Sequence, residues 1–130
     1  MSLDWNCGEL AEGLRCYRAE EFFLAHEHWE SVWLKSQEPE KAFLQSLIQV
    51  AAAFHHLQRE NHVGTASLLR AALRRLEAFP DIFGGIAVAS LRDHIDRWVQ
   101  ALGLRDYTSV PAYPEIRCVE SIPSDQSAKP

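Results

Sequence analysis

Cysteine is scarce in this chain and poorly placed for cross-linking. Cys7, Cys16 and Cys118 are odd in number, widely spaced, and form no CxxC pair. That excludes a disulfide framework and fits a reducing cytoplasm, with a Cys7–Cys16 bridge as the one alternative. Also missing is any run approaching the ~18 to 20 apolar residues that span a bilayer, so no membrane partner is expected. The first residues, Met1 to Asn6, carry neither a basic n-region nor an apolar h-region, and no signal peptide is read there. Positive charge is not in excess either, since the formal net charge is −5. The densest basic cluster, Arg70, Arg74 and Arg75, shares its segment with Glu77 and reads as a solvated face. With no basic stripe to track phosphates, nucleic acid is not expected as a partner. A nucleophilic catalytic set is absent as well: Ser46 and Ser67 lie in helical segments without a strained elbow, and no cysteine is flanked by histidine.

What the chain does have is helical periodicity. Leu10, Leu14 and Tyr17 recur at i, i+4, i+7 and predict a first helix over Gly8 to Arg18. A second is expected from about Glu20 to Lys35, ended by Ser36 to Pro39, and a third from Pro39 to Arg59. The third is apolar nearly all round, with Phe43, Leu44, Leu47, Ile48, Val50, Ala51, Phe54 and Leu57, which marks a central helix. Asn61 is the expected N-cap of a fourth helix, His62 to Ala78, in whose first turn Gly64 allows a close helix approach. Asp81 to Ile86, with Gly84-Gly85, is expected as a flexible connection. A fifth helix follows from Ala87 to Leu102, covered outside by Arg92/Asp96 and Asp93/Arg97 pairs and stopped by Gly103. From Leu104 the prolines Pro111, Pro114 and Pro123 exclude helix. The expected fold is therefore all-α: a compact bundle of about five helices over residues 1–104, an extended Pro-containing C-terminal strap over 105–122 laid on it through Tyr113, Ile116 and Val119, and a disordered tail over 123–130.

Two polar lines interrupt this pattern. On the second helix, at about 100° per residue, Phe22, Phe23, His26, Trp29, Glu30 and Trp33 share one arc, placing an imidazole and a carboxylate in an aromatic face. His26 and Glu30 stand at i, i+4, close enough to bond, with Glu27 at the edge of the face and His28 nearly opposite. The string His-Glu-x-x-Glu is neither the His-Glu-x-x-His of zinc peptidases nor the Glu-x-x-His of di-iron bundles. On the third helix Gln45, Gln49, Ala52 and His56 form the second line. The two lines are expected to face each other. His55, His62 and His94 read as isolated.

These residues also carry a resemblance. Phe22-Phe23-x-Ala25-His26-Glu27-x-Trp29-Glu30-x-x-Trp33, followed by Phe43-Leu44-Gln45-x-Leu47-Ile48-Gln49-x-Ala51-Ala52, resembles the small bacterial and archaeal family of the domain of unknown function DUF309. The likeness runs through His56, the Asn61 to Gly64 turn and the Leu68 to Leu76 helix, over roughly residues 10 to 105. It departs at Leu24, where an acidic residue is expected, and at Glu20, where a small turn residue is usual. The resemblance implies an all-α bundle with His26, Glu27, Glu30, Gln45, Gln49 and His56 on the family's motif positions, and no established reaction.

Three readings follow. The first is a structural or interaction domain: Gln45, Gln49 and His56 supply enough partners to satisfy His26 and Glu30, and the aromatic face or the strap could mediate a homo-oligomer. The second is a metal-assisted or acid/base hydrolase using His26, Glu30 and His56, a set that would give a divalent metal such as zinc three ligands and an open position. The third is a small-molecule module that holds a polar ligand on Gln45, Gln49 and Glu30 and stacks it on Trp29 or Trp33. The candidate ligand-binding positions across these readings are His26, Glu27, Glu30, Trp33, Gln45, Gln49 and His56.

Overall fold

The computed structural model describes residues 3–105 and 112–119. It is all-α apart from one small hairpin, with the helices in the expected order. They are α1 (Gly8–Arg18), α2 (Phe22–Trp33), α3 (Glu40–Gln58), α4 (His62–Leu76) and α5 (Val88–Leu104), with strands β1 (Ile82–Phe83) and β2 (Ile86–Ala87) before α5. Each helix packs on the next in sequence, and α3 buries Phe43, Leu44, Leu47, Val50, Ala51, Ala53 and Phe54 completely. No helix among the described residues is long and apolar enough to cross a membrane.

Local chemistry accounts for the helix ends. Glu20 closes α1 in the left-handed region at φ 63°, where its N–H donates to Tyr17 O and that of Glu21 to Cys16 O. This αL closure delays α2 to Phe22, two residues past the expected start, and explains why a small residue suits position 20. Glu60 repeats the arrangement after α3, at φ 61°, with its N–H donating to Leu57 O and that of Asn61 to His56 O. The Asn61 Oδ1 then caps α4 by accepting from Gly64 N at 3.0 Å. A Cβ on Gly64 would lie 2.7 Å from the Asn61 amide, so this glycine makes room for its own cap and not for another helix. The close helix approach is at Gly13, where a Cβ would lie 2.3 Å from Trp29 Nε1 and the indole donates to Leu10 O at 3.3 Å. Upstream of α3 the Glu38–Pro39 peptide is cis, and the Glu38 carboxylate accepts from Ala42 N at 2.9 Å.

The expected flexible connection is a defined hairpin. Ile82 pairs with Ala87 and Phe83 with Ile86, and Gly84 and Gly85 both take positive φ, 57° and 80°, as a two-residue turn between twisted strands requires. Trp5 Nε1 donates to Gly84 O at 2.7 Å and Val119 N to Gly85 O at 2.8 Å, so the turn gathers both ends of the described chain. The fifth helix also runs past Gly103 to Leu104, with Arg105 as its left-handed cap at φ 55°.

Residues 112–119 lie extended across the bundle. The Tyr17 hydroxyl donates to Pro114 O at 2.7 Å, Trp98 Nε1 to Ala112 O at 3.0 Å and Arg18 to Ile116 O at 3.1 Å. Tyr113 joins a ring cluster with Phe22 and Phe54, at centroid distances of 4.9 and 5.0 Å, and stacks on Trp98. Trp5, Trp29 and Trp98 are buried, so the tryptophans, apart from the half-buried Trp33, leave no aromatic face for an oligomer to cover. The remainder of the expected 105–122 strap, and the tail expected over 123–130, lie outside the described residues.

Candidate functional site

Helices α2 and α3 run antiparallel, joined by a short turn, and two contacts set their register. At one end the Phe23 and His55 rings meet at 5.3 Å; at the other, Lys41 Nζ stands 4.4 Å from the Trp33 ring centroid. Between these points His26 of the α2 line meets Ala52 and His56 of the α3 line. Phe23 and His26 from α2, with Ala52, His55 and His56 from α3, line a cleft of about 160 Å³.

The face of α2 turned to the core is narrower than the sequence arc. Phe22, Ala25 and Trp29 are buried, whereas Phe23 is half exposed. His26 and Glu30 therefore sit at the rim of the apolar face and not in its middle, with side-chain exposures of 26% and 46%, beside Glu27 at 54%. His26 Nδ1 is 3.9 Å from Glu27 Oε2, and its Nε2 is 3.9 Å from Glu30 Oε1. Both separations exceed hydrogen-bond range, so the direct His26–Glu30 bond is not formed. His26 Nδ1 and Gln49 Oε1 are buried atoms without a hydrogen-bond partner. Each such group costs about 1 to 3 kcal/mol when left unmet. The fully satisfied network of the first sequence reading is thus not what these residues form.

One ligand atom from each of His26, Glu27 and Glu30 lies within 4.8 Å of the others. Helix geometry explains the set, because Glu30 is i+4 from His26 and i+3 from Glu27, the two spacings that bring side chains together. Glu27, which the sequence placed at the edge, completes this trio in place of His56. His56 lies on the α3 wall, where its Nδ1 meets Asn61 Nδ2 at 3.1 Å. Because Asn61 Oδ1 is the atom that accepts from Gly64 N, its amide nitrogen must donate, which makes His56 Nδ1 an acceptor and leaves the ring proton on Nε2. His55, read from sequence as isolated, lines the cleft. Burial first, then the nearby Arg59, His56 and His26, hold its imidazole below the ordinary histidine value. The adjacent His55-His56 pair was the available signal, but without the α2–α3 register nothing tied it to His26.

The remaining candidates are placed as follows. Gln45 is half-buried on the α3 line. Trp33 is half-buried, with the Lys41 ammonium over its ring. Trp29 is wholly buried and cannot stack a ligand. His28 pairs its Nδ1 with Glu9 Oε1 at 2.5 Å, tying α2 to α1. A larger hollow of about 550 Å³ lies between Tyr17, Arg18 and residues 112–116, but its Tyr17 hydroxyl and Arg18 guanidinium already donate to Pro114 O and Ile116 O. The smaller α2–α3 cleft is lined by His26, whose Nδ1 stands unmet.

Comparison with known proteins agrees with the resemblance read from the sequence. The profile of a family described as domain of unknown function (DUF309) matches residues 10–68, a span that holds most of α1, all of α2 and α3 and every residue of the cleft. A protein of Aquifex aeolicus (strain VF5), named only as an uncharacterized protein, is 29% identical over 104 residues. The match covers 78% of this chain, which spans 30% of that relative's length.

Proposed function

We propose that this helical domain is a binding module that takes a small cation in the α2–α3 cleft. The observation that carries the reading is the unmet polarity at its α2 wall, where His26 Nδ1 is buried and unpartnered and the carboxylates of Glu27 and Glu30 stand 3.9 Å from the ring nitrogens. A cleft of about 160 Å³ holds an ion with a few waters, or an organic cation of a few heavy atoms, given about 30 Å³ per water. The carboxylates of Glu27 and Glu30 beside His26 favour positive charge, and the His26 and His55 imidazoles of the lining offer acceptors. That the chain matches only 30% of its Aquifex relative supports a module that works beside other domains. The three free thiols support a reducing, cytoplasmic setting.

The test is an NMR titration of the full chain with methylammonium, methylguanidinium and zinc chloride in separate series. At least one should shift the backbone amides of Phe23, His26, Ala52 and His55 saturably, and Ala52→Leu, which fills the cleft, should weaken that response. Silence from all three, or shifts mapping to another face, would overturn the reading. A protein-docking role is the second reading. It is favoured by Phe23 and Leu24, both about half exposed at the start of α2, and it would gain if the titrations stay silent.

A further inference from the structure

We infer that the cation is a divalent transition-metal ion of the zinc class, held by His26, Glu27 and Glu30; this rests on the cation-cleft reading above and names its ligand. Three observations carry it. The first is composition: one imidazole and two carboxylates on one helix face, with one ligand atom of each within 4.8 Å of the others. Carboxylates alone would suit magnesium or calcium equally well, whereas an imidazole nitrogen directs the set toward zinc and its neighbours.

The second is spacing. The His26 nitrogens stand 3.9 Å from their carboxylate partners, too far for hydrogen bonds. With metal bonds of about 2.1 Å, ligand atoms on a tetrahedral ion stand roughly 3.4 Å apart. The two 3.9 Å separations start from different ring nitrogens; for one ion the three ligand atoms lie within 4.8 Å of one another, a gap that rotamer changes in the two half-exposed glutamates would close. Had the imidazole and Glu30 been at hydrogen-bonding distance, the pair would have been complete in itself.

The third is the unpartnered state of the ring. His26 Nδ1 is out of reach of water and has no hydrogen-bond partner. A ligating histidine ordinarily gives one nitrogen to the metal and offers the other to a neighbouring acceptor. His26 has a carboxylate near each nitrogen, so one nitrogen can bind the ion together with one oxygen of each glutamate, while the other keeps its N–H for the second oxygen of the glutamate beside it. The exposed side of Glu27 and Glu30 leaves further coordination positions open to water.

The experiment uses the full chain, freed of metal by chelator and titrated with zinc chloride against a competing chromophoric chelator. Cobalt(II) substitution reports the ligand set through its visible absorption. One zinc per chain is expected, and His26→Ala and Glu30→Gln should each weaken binding by on the order of a hundredfold, since even an outer-shell loss costs roughly ten- to a hundredfold. Glu27→Gln, on an exposed side chain, keeps the test decisive if His26→Ala fails to fold; it should weaken binding at least about tenfold and alter the cobalt spectrum. Absence of zinc binding, or binding unchanged by all three substitutions, overturns the inference. If zinc fails while methylammonium or methylguanidinium still shifts the cleft amides, the metal assignment falls and the cation-cleft reading stands; if none binds, both fall.

Discussion

Gly13 and Gly103 are both helical glycines, and their surroundings are opposite. At Gly13 a Cβ would meet Trp29 Nε1 at 2.3 Å, whereas at Gly103 nothing lies within 4 Å. Alanine favours a helix interior over glycine by up to about 1 kcal/mol, so propensity alone predicts that both alanine variants gain. At Gly13 the clash is with a fully buried indole that also donates to Leu10 O. Such overpacking costs about 1 to 3 kcal/mol and outweighs the propensity. Urea unfolding should therefore show Gly13→Ala destabilised by that amount and Gly103→Ala stabilised by about 0.5 to 1 kcal/mol. Equal shifts for the two would disprove the close α1–α2 approach. The sequence indicated a close approach at Gly64 instead, because a glycine's type says nothing of which helix passes over it. The same limit hid Glu27 and His55: each was visible as a residue, but its neighbours were set by packing.

At the scale of elements, all five helices were legible, each within two residues at its N-terminal end, because their apolar periodicity and caps agree with one another. The connections were less so. Arg92 was expected to pair with Asp96 along α5. Instead its guanidinium donates to Leu76 O at 3.1 Å, Phe79 O at 2.9 Å and Asp81 Oδ1 at 2.9 Å. It thereby satisfies carbonyls at the end of α4 and fastens the hairpin approach to α5. Spacing within one helix cannot foresee this, since the competing acceptors belong to another element. Asp96 accepts from Gln100 at 2.8 Å. A charged donor contributes about 1.5 to 3 kcal/mol per hydrogen bond, and truncation leaves carbonyls unmet. Arg92→Met should accordingly lower stability by about 2 to 3 kcal/mol in urea unfolding. Arg92→Lys should recover little, because an ammonium cannot reproduce the planar fork that reaches three acceptors. Full rescue by lysine would show that charge alone matters there.

For the molecule as a whole, the question is whether residues 112–119 belong to the cooperative unit or lie on it as a detachable strap. Their attachments are spread over α1, β2 and α5, through Tyr17, Arg18, Ala87 and Trp98. Ile116 is 1% exposed and part of the common core. Loss of the segment would also bare the Tyr113 contacts to Phe22, Phe54 and Trp98. Phe22 and Phe54 come from the two helices that frame the cleft, so the segment braces the register on which the site depends. We therefore expect Ile116→Ala to act as a core truncation, lowering global stability by about 2 to 5 kcal/mol in a single transition. Glu115→Ala, on an exposed side chain, should stay within about 0.5 kcal/mol. Hydrogen exchange separates the alternatives. An integral segment protects the Ala87 and Val119 amides, which donate to Arg117 O and Gly85 O, to the same free energy as the core of α3, and Ile116→Ala lowers them together. If those two amides exchanged faster while α3 protection and the unfolding midpoint stayed fixed, residues 112–119 would be a separately opening strap, and the bracing of the α2–α3 cleft would have to come from α1 and α4, which pack on α2 and α3.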